Sequence, residues 1–431
     1  MANTENAANT ESTQEITQYL ERLGRQASAA GHVLQALDTE QKNRALTAAA
    51  QALVSRKEEI LAANARDYEI AETGGMAGGL LDRLRLTEER IEAMAEGLKQ
   101  IAGLPDPVGE IMDSFDRPNG LHIDKIRVPM GVIGIIYEAR PNVTADAFGL
   151  CFKTGNAVIL KGGKDAFYSN QAITGVLRDT LETMAVPADA IQLIENNDRA
   201  VTTAFMRLKK YVDILIPRGG AGLIRAVVEN STIPVIETGT GNCHIYVDED
   251  ADLSKAIPVI INAKTQRIGV CNACESLIVH EKIAERFLPE LGKALQAKQV
   301  EIRGDEKVIE TIPGSLPATE EDYGREYLDY IVSVKTVSSV EEAIAHINRY
   351  NTGHSDAILT ENEAHMEQFL RGVDSACVYA NASTRFTDGF EFGFGAEIGI
   401  STQKLHARGP MGLKELTTYK YIIRGNGQIR Q

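Results

Sequence analysis

The spacing of apolar residues predicts helices in the first hundred residues of the chain. Apolar side chains recur at the helical period over residues 45–54, 60–71 and 88–101, and glycine pairs at 74–75 and 78–79 interrupt the pattern. Asp38 and Gln41 have the spacing of a capping box, in which each side chain bonds the backbone of the other residue. A helix is therefore predicted to begin directly after Asp38.

From residue 127 onwards the pattern changes to short β-rich runs that alternate with helical ones. The predicted strands of a first series are residues 132–137, 157–161, 191–194, 212–216 and 235–237, and those of a second series are 276–280, 331–337 and 357–360. Amphipathic segments such as 170–184 separate them, so the sequence predicts βαβ units, parallel sheets and the α/β class. Ligands of such sheets bind at the carboxyl ends of the strands.

Composition and charge disfavour several classes of function. The net charge of −15 argues against a nucleic-acid binder, which needs a basic face. No stretch reaches the roughly 18 apolar residues of a membrane span, and the polar first 18 residues do not have the pattern of a secretory signal. The five cysteines are few, odd in number and scattered, as in proteins of a reducing compartment. We therefore expect a cytoplasmic protein, and its 431 residues predict two domains or one large α/β unit.

Cys271 is the main candidate for a nucleophile. It lies between a run of small residues and the predicted strand 276–279, and a thiol placed in this way attacks carbonyls when its surroundings favour the thiolate. A buried, inert cysteine is the alternative. Cys274 completes a Cys-x-x-Cys pair, which is found in redox and metal sites. No second Cys or His pair has zinc spacing, so we expect no metal and interpret Cys274 as a packing residue.

Asn142 follows the first of these predicted strands in a Pro-Asn turn. Its amide is then expected at the carboxyl edge of the sheet, where an asparagine is a suitable neutral donor for a developing oxyanion. Capping of the following helix is the alternative, and spacing alone favours capping.

Two glycine-rich segments with neighbouring cations end other predicted strands. They are Lys161-Gly162-Gly163-Lys164 and Arg218-Gly219-Gly220. The glycines let the backbone approach a ligand, and the cations suit a ribose or phosphate group. Neither segment is a Rossmann fingerprint or a P-loop, so simple turns are the alternative. Glu237 ends the fifth predicted strand, and His244 stands on a strand-like run, where a histidine is more often structural.

Eight ordered motifs resemble the aldehyde dehydrogenase superfamily, over about residues 15–425. They are residues 128–134, 137–143, 161–163, 216–220, 243–248, 262–272, 381–389 and 395–402. The resemblance implies an aldehyde dehydrogenase-like fold with two Rossmann-like parallel-sheet domains and a small oligomerisation arm. The expected bounds are 1–108 and 128–236 for the NADP-binding domain, 237–403 for the catalytic domain, and 109–127 and 404–431 for the arm.

The resemblance also implies roles for three residues near the chemistry. Cys271 matches the family nucleophile, and Asn142 matches the asparagine that binds the oxyanion together with the Cys271 backbone N–H. Glu237 has the spacing of the glutamate that activates water in hydrolytic relatives. A reductive enzyme needs no such water, so Glu237 is vestigial, a proton shuttle, or an aid to thiolate formation.

A cofactor site follows from the same resemblance. Lys161 matches the lysine that hydrogen-bonds the adenosine ribose. Lys164 stands where NAD-preferring relatives carry an acidic residue, and a cation there suits a 2′-phosphate, so NADPH/NADP is expected as the cofactor. Glu326 matches the glutamate that holds the nicotinamide ribose, although Leu328 replaces the phenylalanine of the relatives. The remaining cofactor-binding candidates are Gly163, Arg218, Gly219 and Gly220.

The most similar branch of the superfamily reduces L-glutamyl 5-phosphate in proline biosynthesis. This implies NADPH-dependent reduction to L-glutamate 5-semialdehyde, with phosphate release from a Cys271 thioester. Arg140, Ser383 and Arg385 are candidates for binding the substrate carboxylate and phosphate, since the planar guanidinium suits both.

Other functions and partners stay open at this stage. One alternative is a hydrolytic NAD(P)-dependent aldehyde dehydrogenase that acts on a small acidic aldehyde. Another is a cysteine hydrolase that uses no nucleotide. The resemblance further implies a homo-oligomer, and a contact with a glutamate 5-kinase that hands over the labile acyl phosphate is a further hypothesis.

Overall fold

A computed structural model describes residues 2–76 and 78–430, with side chains from residue 13 onwards. Residues 1, 77 and 431, which belong to the predicted cofactor domain and arm, lie outside the described residues. Up to residue 230 the elements are α1 (Ala2–Leu34), α2 (Thr39–Ser55), α3 (Lys57–Thr73), α4 (Gly78–Leu84), α5 (Glu88–Gly103), β1 (Ile111–Asp116), β2 (His122–Pro129), β3 (Val132–Tyr137), α6 (Asn142–Lys153), β4 (Ala157–Gly162), α7 (Phe167–Thr183), β5 (Ile191–Leu193), α8 (Arg199–Phe205), β6 (Ile214–Arg218) and α9 (Ala221–Asn230).

The rest of the chain continues the alternation of strands and helices. Its elements are β7 (Cys243–Val247), α10 (Leu253–Thr265), β8 (Cys274–His280), α11 (Glu281–Gln296), β9 (Glu301–Gly304), α12 (Glu306–Thr311), β10 (Leu316–Pro317), β11 (Ile331–Val337), α13 (Val340–Tyr350), β12 (Ser355–Leu359), α14 (Glu363–Gly372), β13 (Cys377–Ala380), β14 (Ile400–Ser401), β15 (Gly409–Pro410) and β16 (Thr417–Arg424).

The predicted helices near the start of the chain are confirmed. Residues 45–54, 60–71 and 88–101 lie within α2, α3 and α5. The capping box also forms, because the Gln41 N–H donates to Asp38 Oδ1 at 2.7 Å and the Asp38 N–H donates to Gln41 Oε1 at 2.9 Å. These bonds satisfy two backbone donors that a helix start otherwise leaves unpaired.

A first parallel sheet has the strand order β5-β4-β3-β6. Four of the five strands predicted for it are confirmed, but the strand at 235–237 is wrong. Only Val235 forms a bridge, in parallel with Leu215, and backbone bonds join Leu215 N to Pro234 O and Ile236 N to Leu215 O. Extending this pairing toward residue 237 would need an N–H on Pro217, and extending it the other way would need one on Pro234. Neither proline has an N–H, which limits the pairing to this bridge.

A second parallel sheet has the order β10-β9-β11-β8-β7-β12-β13 and is covered on both faces. On one face, strand residues such as Ile245 and Leu277 pack with Phe287 and Leu291 of α11. On the other face, Tyr246, Ile278 and Ile358 pack against α13 and α14. Each fully buried side chain of this kind contributes roughly 2–3 kcal/mol. The predicted α/β class with parallel sheets is thus confirmed.

Residues of the predicted arm form a third, antiparallel sheet in the order β1-β2-β16. β16 pairs with β2 along its whole length, while β1 and β16 are the outer strands. Their exposed apolar side chains include Ile111, Phe115, Tyr419, Tyr421 and Ile423. The role of this sheet in oligomerisation stays a prediction.

The chain divides into two compact units. The first is Met1–Glu237, Phe394–Gly399 and Met411–Gln431, and the second is Thr238–Gly393 and Ile400–Pro410. The first unit holds the four-stranded parallel sheet and the antiparallel sheet, and the second holds the seven-stranded sheet. Among the described residues, no helix combines the length and apolar character that a bilayer crossing requires.

Candidate active site

Cys271 lies in the loop between α10 and β8, residues 266–273, which we call the nucleophile loop. Its side chain is partly exposed, and its carbonyl oxygen accepts a hydrogen bond from Cys243 Sγ at 3.2 Å. The backbone of Gly241 packs directly against that carbonyl. A Cβ at position 241 would lie 1.4 Å from the Cys271 oxygen, so only glycine fits there.

Asn272 anchors the next position of the nucleophile loop, a role that its place in the sequence did not indicate. Its amide donates to the carbonyls of Arg385 and Thr387, at 3.3 and 2.9 Å, and its own carbonyl accepts from Thr384 Oγ1 at 2.8 Å. The side-chain oxygen accepts from Arg385 Nη1. Every polar group of the buried Asn272 side chain thus fastens the nucleophile loop to residues 384–387. Its only sequence signal was its position next to the cysteine.

Arg385, a predicted substrate ligand, is bound to the nucleophile loop. Besides Asn272, it reaches Gln266, whose Oε1 accepts from Arg385 Nε at 2.8 Å. Burial lowers the pKa of Arg385 and Arg267 lowers it further, while Asp388 and, to a smaller extent, Cys271 oppose both effects. Arg385 and Cys271 are thus close enough to interact electrostatically.

Ser383, the other predicted substrate ligand of this region, is buried. Its Oγ accepts from the Arg385 N–H at 3.3 Å and so caps the short turn Thr384–Phe386. For Ser383 and Arg385 alike, the role in substrate binding stays a prediction.

Cys274 and His244 lie inside the sheet and not on the nucleophile loop. Cys274 is buried in β8 with its Sγ against the Ser276 carbonyl at 3.4 Å, and burial raises the pKa of its thiol to about 12. Such a thiol is almost never ionised near neutral pH. His244 is buried as well, with Nδ1 3.2 Å from Asp356 Oδ1. Both observations agree with structural roles for these residues.

Glu326 precedes β11, and its Oε1 accepts the Gly241 N–H at 2.8 Å. Burial raises the pKa of Glu326, and this hydrogen bond opposes the shift. Gly241, Cys271 and Glu326 thus precede the amino ends of β7, β8 and β11, which are neighbours in one parallel sheet. The predicted nucleophile and Glu326 therefore lie at the amino edge of this sheet, whereas ligands were expected at the carboxyl ends of the strands.

In the first unit the predicted cofactor residues do lie at the carboxyl edge of the sheet. Tyr137 pairs with Gly162 on one side and with Arg218 on the other, which brings the ends of β4, β3 and β6 together. The buried Lys161 Nζ donates to the Gly162 carbonyl at 2.9 Å and to Asn197 Oδ1 at 3.3 Å, and burial lowers the pKa of its amine. Lys164 is exposed in the short turn before α7.

Glu138 organises this edge, a role that no sequence motif indicated. Its Oε2 accepts the Gly220 N–H at 2.9 Å, and its carbonyl accepts the Arg140 N–H at 2.6 Å. A Cβ on Gly219 would lie 2.7 Å from the Glu138 carboxyl carbon, so a side chain there would displace the Glu138 carboxylate. Glu138 thereby joins the glycine loop after β6 to the turn that carries Arg140 and Asn142.

Asn142 is exposed at the first position of α6. Its Nδ2 donates to Asp146 Oδ2 at 3.0 Å, while the helix begins after Pro141 without a side-chain cap. The capping alternative for Asn142 is therefore wrong. Burial raises the pKa of Asp146 from 3.8 to about 6, while Asn142 and Arg218 oppose the shift. An amide nitrogen carries two hydrogens, so Asn142 keeps a second donor. The exposed Arg140 and the partly buried Glu237 also lie in the first unit, and their roles stay predictions.

A model of the aldehyde dehydrogenase family matches residues 5–314 and 324–422. The chain belongs to the aldehyde dehydrogenase family. The expected fold is thereby confirmed, and within the family the similarity extends to named relatives.

Three aldehyde dehydrogenase relatives share more than half of their residues with this chain. The gamma-glutamyl phosphate reductase of Moorella thermoacetica is 60% identical over 408 residues, 95% of this chain and 98% of that protein. That of Lachnospira eligens is 58% identical over 412 residues, 96% of this chain and 99% of that protein. The crystal structure of gamma-glutamyl phosphate reductase from Thermotoga maritima has a TM-score of 0.94 and 51% identity, covering 96% of this chain and 100% of that one.

The contact between Gly241 and Cys271 makes a testable prediction about this aldehyde dehydrogenase. Gly241→Ala is expected to displace the nucleophile loop and lower dehydrogenase activity about 100-fold or more, because a shift of about 1 Å at a reacting group has that effect. Gly175→Ala, within α7 and away from the predicted site residues, is the matched control, since a Cβ there meets no atom within 4 Å. It should keep activity within about twofold, as open surface sites do. Equal activities of the two folded variants would contradict the account.

Proposed function

We propose that this chain is an NADP-dependent glutamate-5-semialdehyde dehydrogenase that reduces L-glutamyl 5-phosphate to L-glutamate 5-semialdehyde and releases phosphate. The observation that carries the proposal is the nucleophile loop. It presents a partly exposed Cys271 on a fixed backbone, in a chain similar over nearly its whole length to proteins named gamma-glutamyl phosphate reductase. A cytoplasmic place in proline biosynthesis is part of the proposal.

In the first half-reaction the Cys271 thiolate attacks the γ-carbonyl carbon of L-glutamyl 5-phosphate. A C–S bond forms, and the carbonyl oxygen takes up the negative charge. In keeping with the family resemblance, the Asn142 amide and the Cys271 backbone N–H donate to this oxyanion. The bond to the phosphate oxygen then breaks, phosphate leaves with the electron pair, and a thioester remains on Cys271. Arg385 assists by favouring the thiolate.

The donors at the carboxyl edge of the first sheet are suited to binding nicotinamide adenine dinucleotide phosphate. Lys161 and Arg218 flank the edge, Gly163, Gly219 and Gly220 keep the backbone accessible, and the exposed Lys164 offers a cation to a 2′-phosphate. Glu326 is proposed to bind the nicotinamide ribose. When bound, NADPH supplies the hydride for the second half-reaction. The C–S bond then breaks, which frees the aldehyde and restores the Cys271 thiolate.

A reductive second half-reaction leaves no hydrolytic task for Glu237. We keep it as a candidate proton shuttle or as an aid to thiolate formation. Arg140, Ser383 and Arg385 remain the proposed ligands of the substrate carboxylate and phosphate. We also propose that the chain forms a homo-oligomer through the antiparallel sheet, because the backbone N–H and C=O groups along its outer strands can pair with a second chain. Direct transfer of the acyl phosphate from a glutamate 5-kinase is a further part of the proposal.

Run in the oxidative direction, the reaction should require inorganic phosphate. With NADP⁺ and glutamate semialdehyde, wild-type protein is expected to form NADPH steadily only when phosphate is present, because phosphate must attack the thioester. Cys271→Ser should lose at least about 1000-fold of this activity, since a hydroxyl is a far weaker nucleophile at neutral pH. Steady formation of glutamate without phosphate would instead indicate the hydrolytic aldehyde dehydrogenase.

Lys164 should decide the preference for NADPH over NADH. Lys164→Glu is expected to raise KM for NADPH about tenfold or more, and to raise KM for NADH much less, because the carboxylate repels only a 2′-phosphate. Lys209→Glu, a charge reversal at another exposed lysine of the first unit, is the control and should leave both constants unchanged. Equal effects of Lys164→Glu on the two cofactors would count against this assignment.

A further inference from the structure

Glu275 carries a buried carboxylate whose two oxygens hold two different segments of the second unit. Oε2 accepts from Lys264 Nζ at 2.5 Å, and Oε1 accepts the backbone N–H of Leu328 at 3.2 Å. The side chains of Lys264 and Glu275 are both fully buried. Burial raises the pKa of Glu275, and Lys264 opposes this. A buried ion pair seldom adds net stability over apolar packing, so its position in the fold suggests another task.

Glu275 Oε2, through its bond to Lys264, connects the two ends of the nucleophile loop. Lys264 stands in the last turn of α10, before the loop, and Glu275 is the second residue of β8, after it. The pairing of β7 with β8 runs from Cys243–Cys274 directly to His244–Ser276 and so skips Glu275. Such a bulge re-aims a side chain, and bulges of this kind are frequent beside active sites. The ion pair therefore joins the two ends of the loop that carries Cys271.

Glu275 Oε1, which accepts the Leu328 N–H, holds residues 326–328. We call these residues the Glu326 turn. Leu328 has φ +54°, in the left-handed region that a residue with a side chain seldom adopts without support. The turn is held at each of its positions. Glu326 binds the Gly241 N–H, Tyr327 OH donates to Asp322 Oδ1 at 2.8 Å, and the Leu328 N–H donates to Glu275.

We propose that Glu275 is a positioning residue, whose carboxylate fixes the nucleophile loop through Lys264 and the Glu326 turn through Leu328. One side chain then sets the positions of Cys271 and Glu326 together. The consequence for cofactor binding rests on the proposed function, because it takes Glu326 as the ligand of the nicotinamide ribose. The fixing of the turn itself does not depend on that function.

Two charge-free double variants separate the hydrogen bond to Leu328 from the burial of charge. Lys264→Gln/Glu275→Gln keeps an acceptor for the Leu328 N–H, whereas Lys264→Met/Glu275→Met has nearly the same shape without it. Backbone hydrogen exchange of a peptide covering residues 322–330 should be about tenfold faster in the Met pair than in the Gln pair. The Kd for NADPH, measured by the fluorescence of NADPH, should be about fivefold higher in the Met pair than in the Gln pair, as expected for one lost hydrogen bond. The rate of Cys271 alkylation by iodoacetamide checks the nucleophile loop and should differ from wild type in the Met pair.

Equal exchange and equal NADPH affinity in the two folded pairs would overturn the proposal. If the Met pair does not fold, Glu275→Asp decides, because it keeps the charge beside Lys264 but is one methylene too short to reach both partners. It should show the same faster exchange of residues 322–330, and wild-type exchange there would overturn the proposal. Failure of the proposed function would show differently. Wild-type protein would then lack phosphate-dependent NADP⁺ reduction, while the exchange contrast between the two pairs would persist.

Discussion

The contact between the Gly241 backbone and the Cys271 carbonyl is the constraint on which the site of the second unit depends. The two segments approach so closely that no side chain fits between them. Because the Gly241 N–H is also bound to Glu326, movement of the nucleophile loop is coupled to the glutamate assigned to the cofactor. Three segments before neighbouring parallel strands therefore behave as one assembly. Catalysis by a positioned thiolate needs this kind of preorganisation.

Polar contacts complete the assembly, and most of them are made by charged or amide side chains that are shielded from solvent. Asn272 has all of its side-chain polar groups bonded to residues 384–387, and Arg385 bonds back to the nucleophile loop. The Lys264–Glu275 pair joins the two ends of the same loop without solvent contact. Hydrogen bonds in such surroundings are stronger than in water, and a missing partner is correspondingly costly. The site thus gains defined geometry from groups that contribute little net stability.

Local patterns in the sequence predicted the local structure well. The Asp38 capping box, the strands around 132–137 and 276–280, and the cations at the carboxyl edge of the first sheet followed from periodicity and residue type. The strand at 235–237 was wrong because apolar composition does not show that Pro217 and Pro234 lack the N–H groups needed to extend its pairing. Roles for Glu138 and Glu275 were not predictable, since they depend on which strands become neighbours and on a bulge. The position of Cys271 before a strand was predicted, but the approach of Gly241 and Glu326 to its loop depends on which strands become neighbours.

Covalent trapping of the acyl group is the most direct test of whether Cys271 forms a thioester that water does not hydrolyse. Protein mixed with NADP⁺ and glutamate semialdehyde without phosphate should release about one NADPH per chain in a burst, the fingerprint of an accumulating acyl-enzyme. Peptide mass spectrometry should then locate a γ-glutamyl group on Cys271, and added phosphate should discharge it. Continuous turnover to glutamate without phosphate, or an adduct on another residue, would contradict the account.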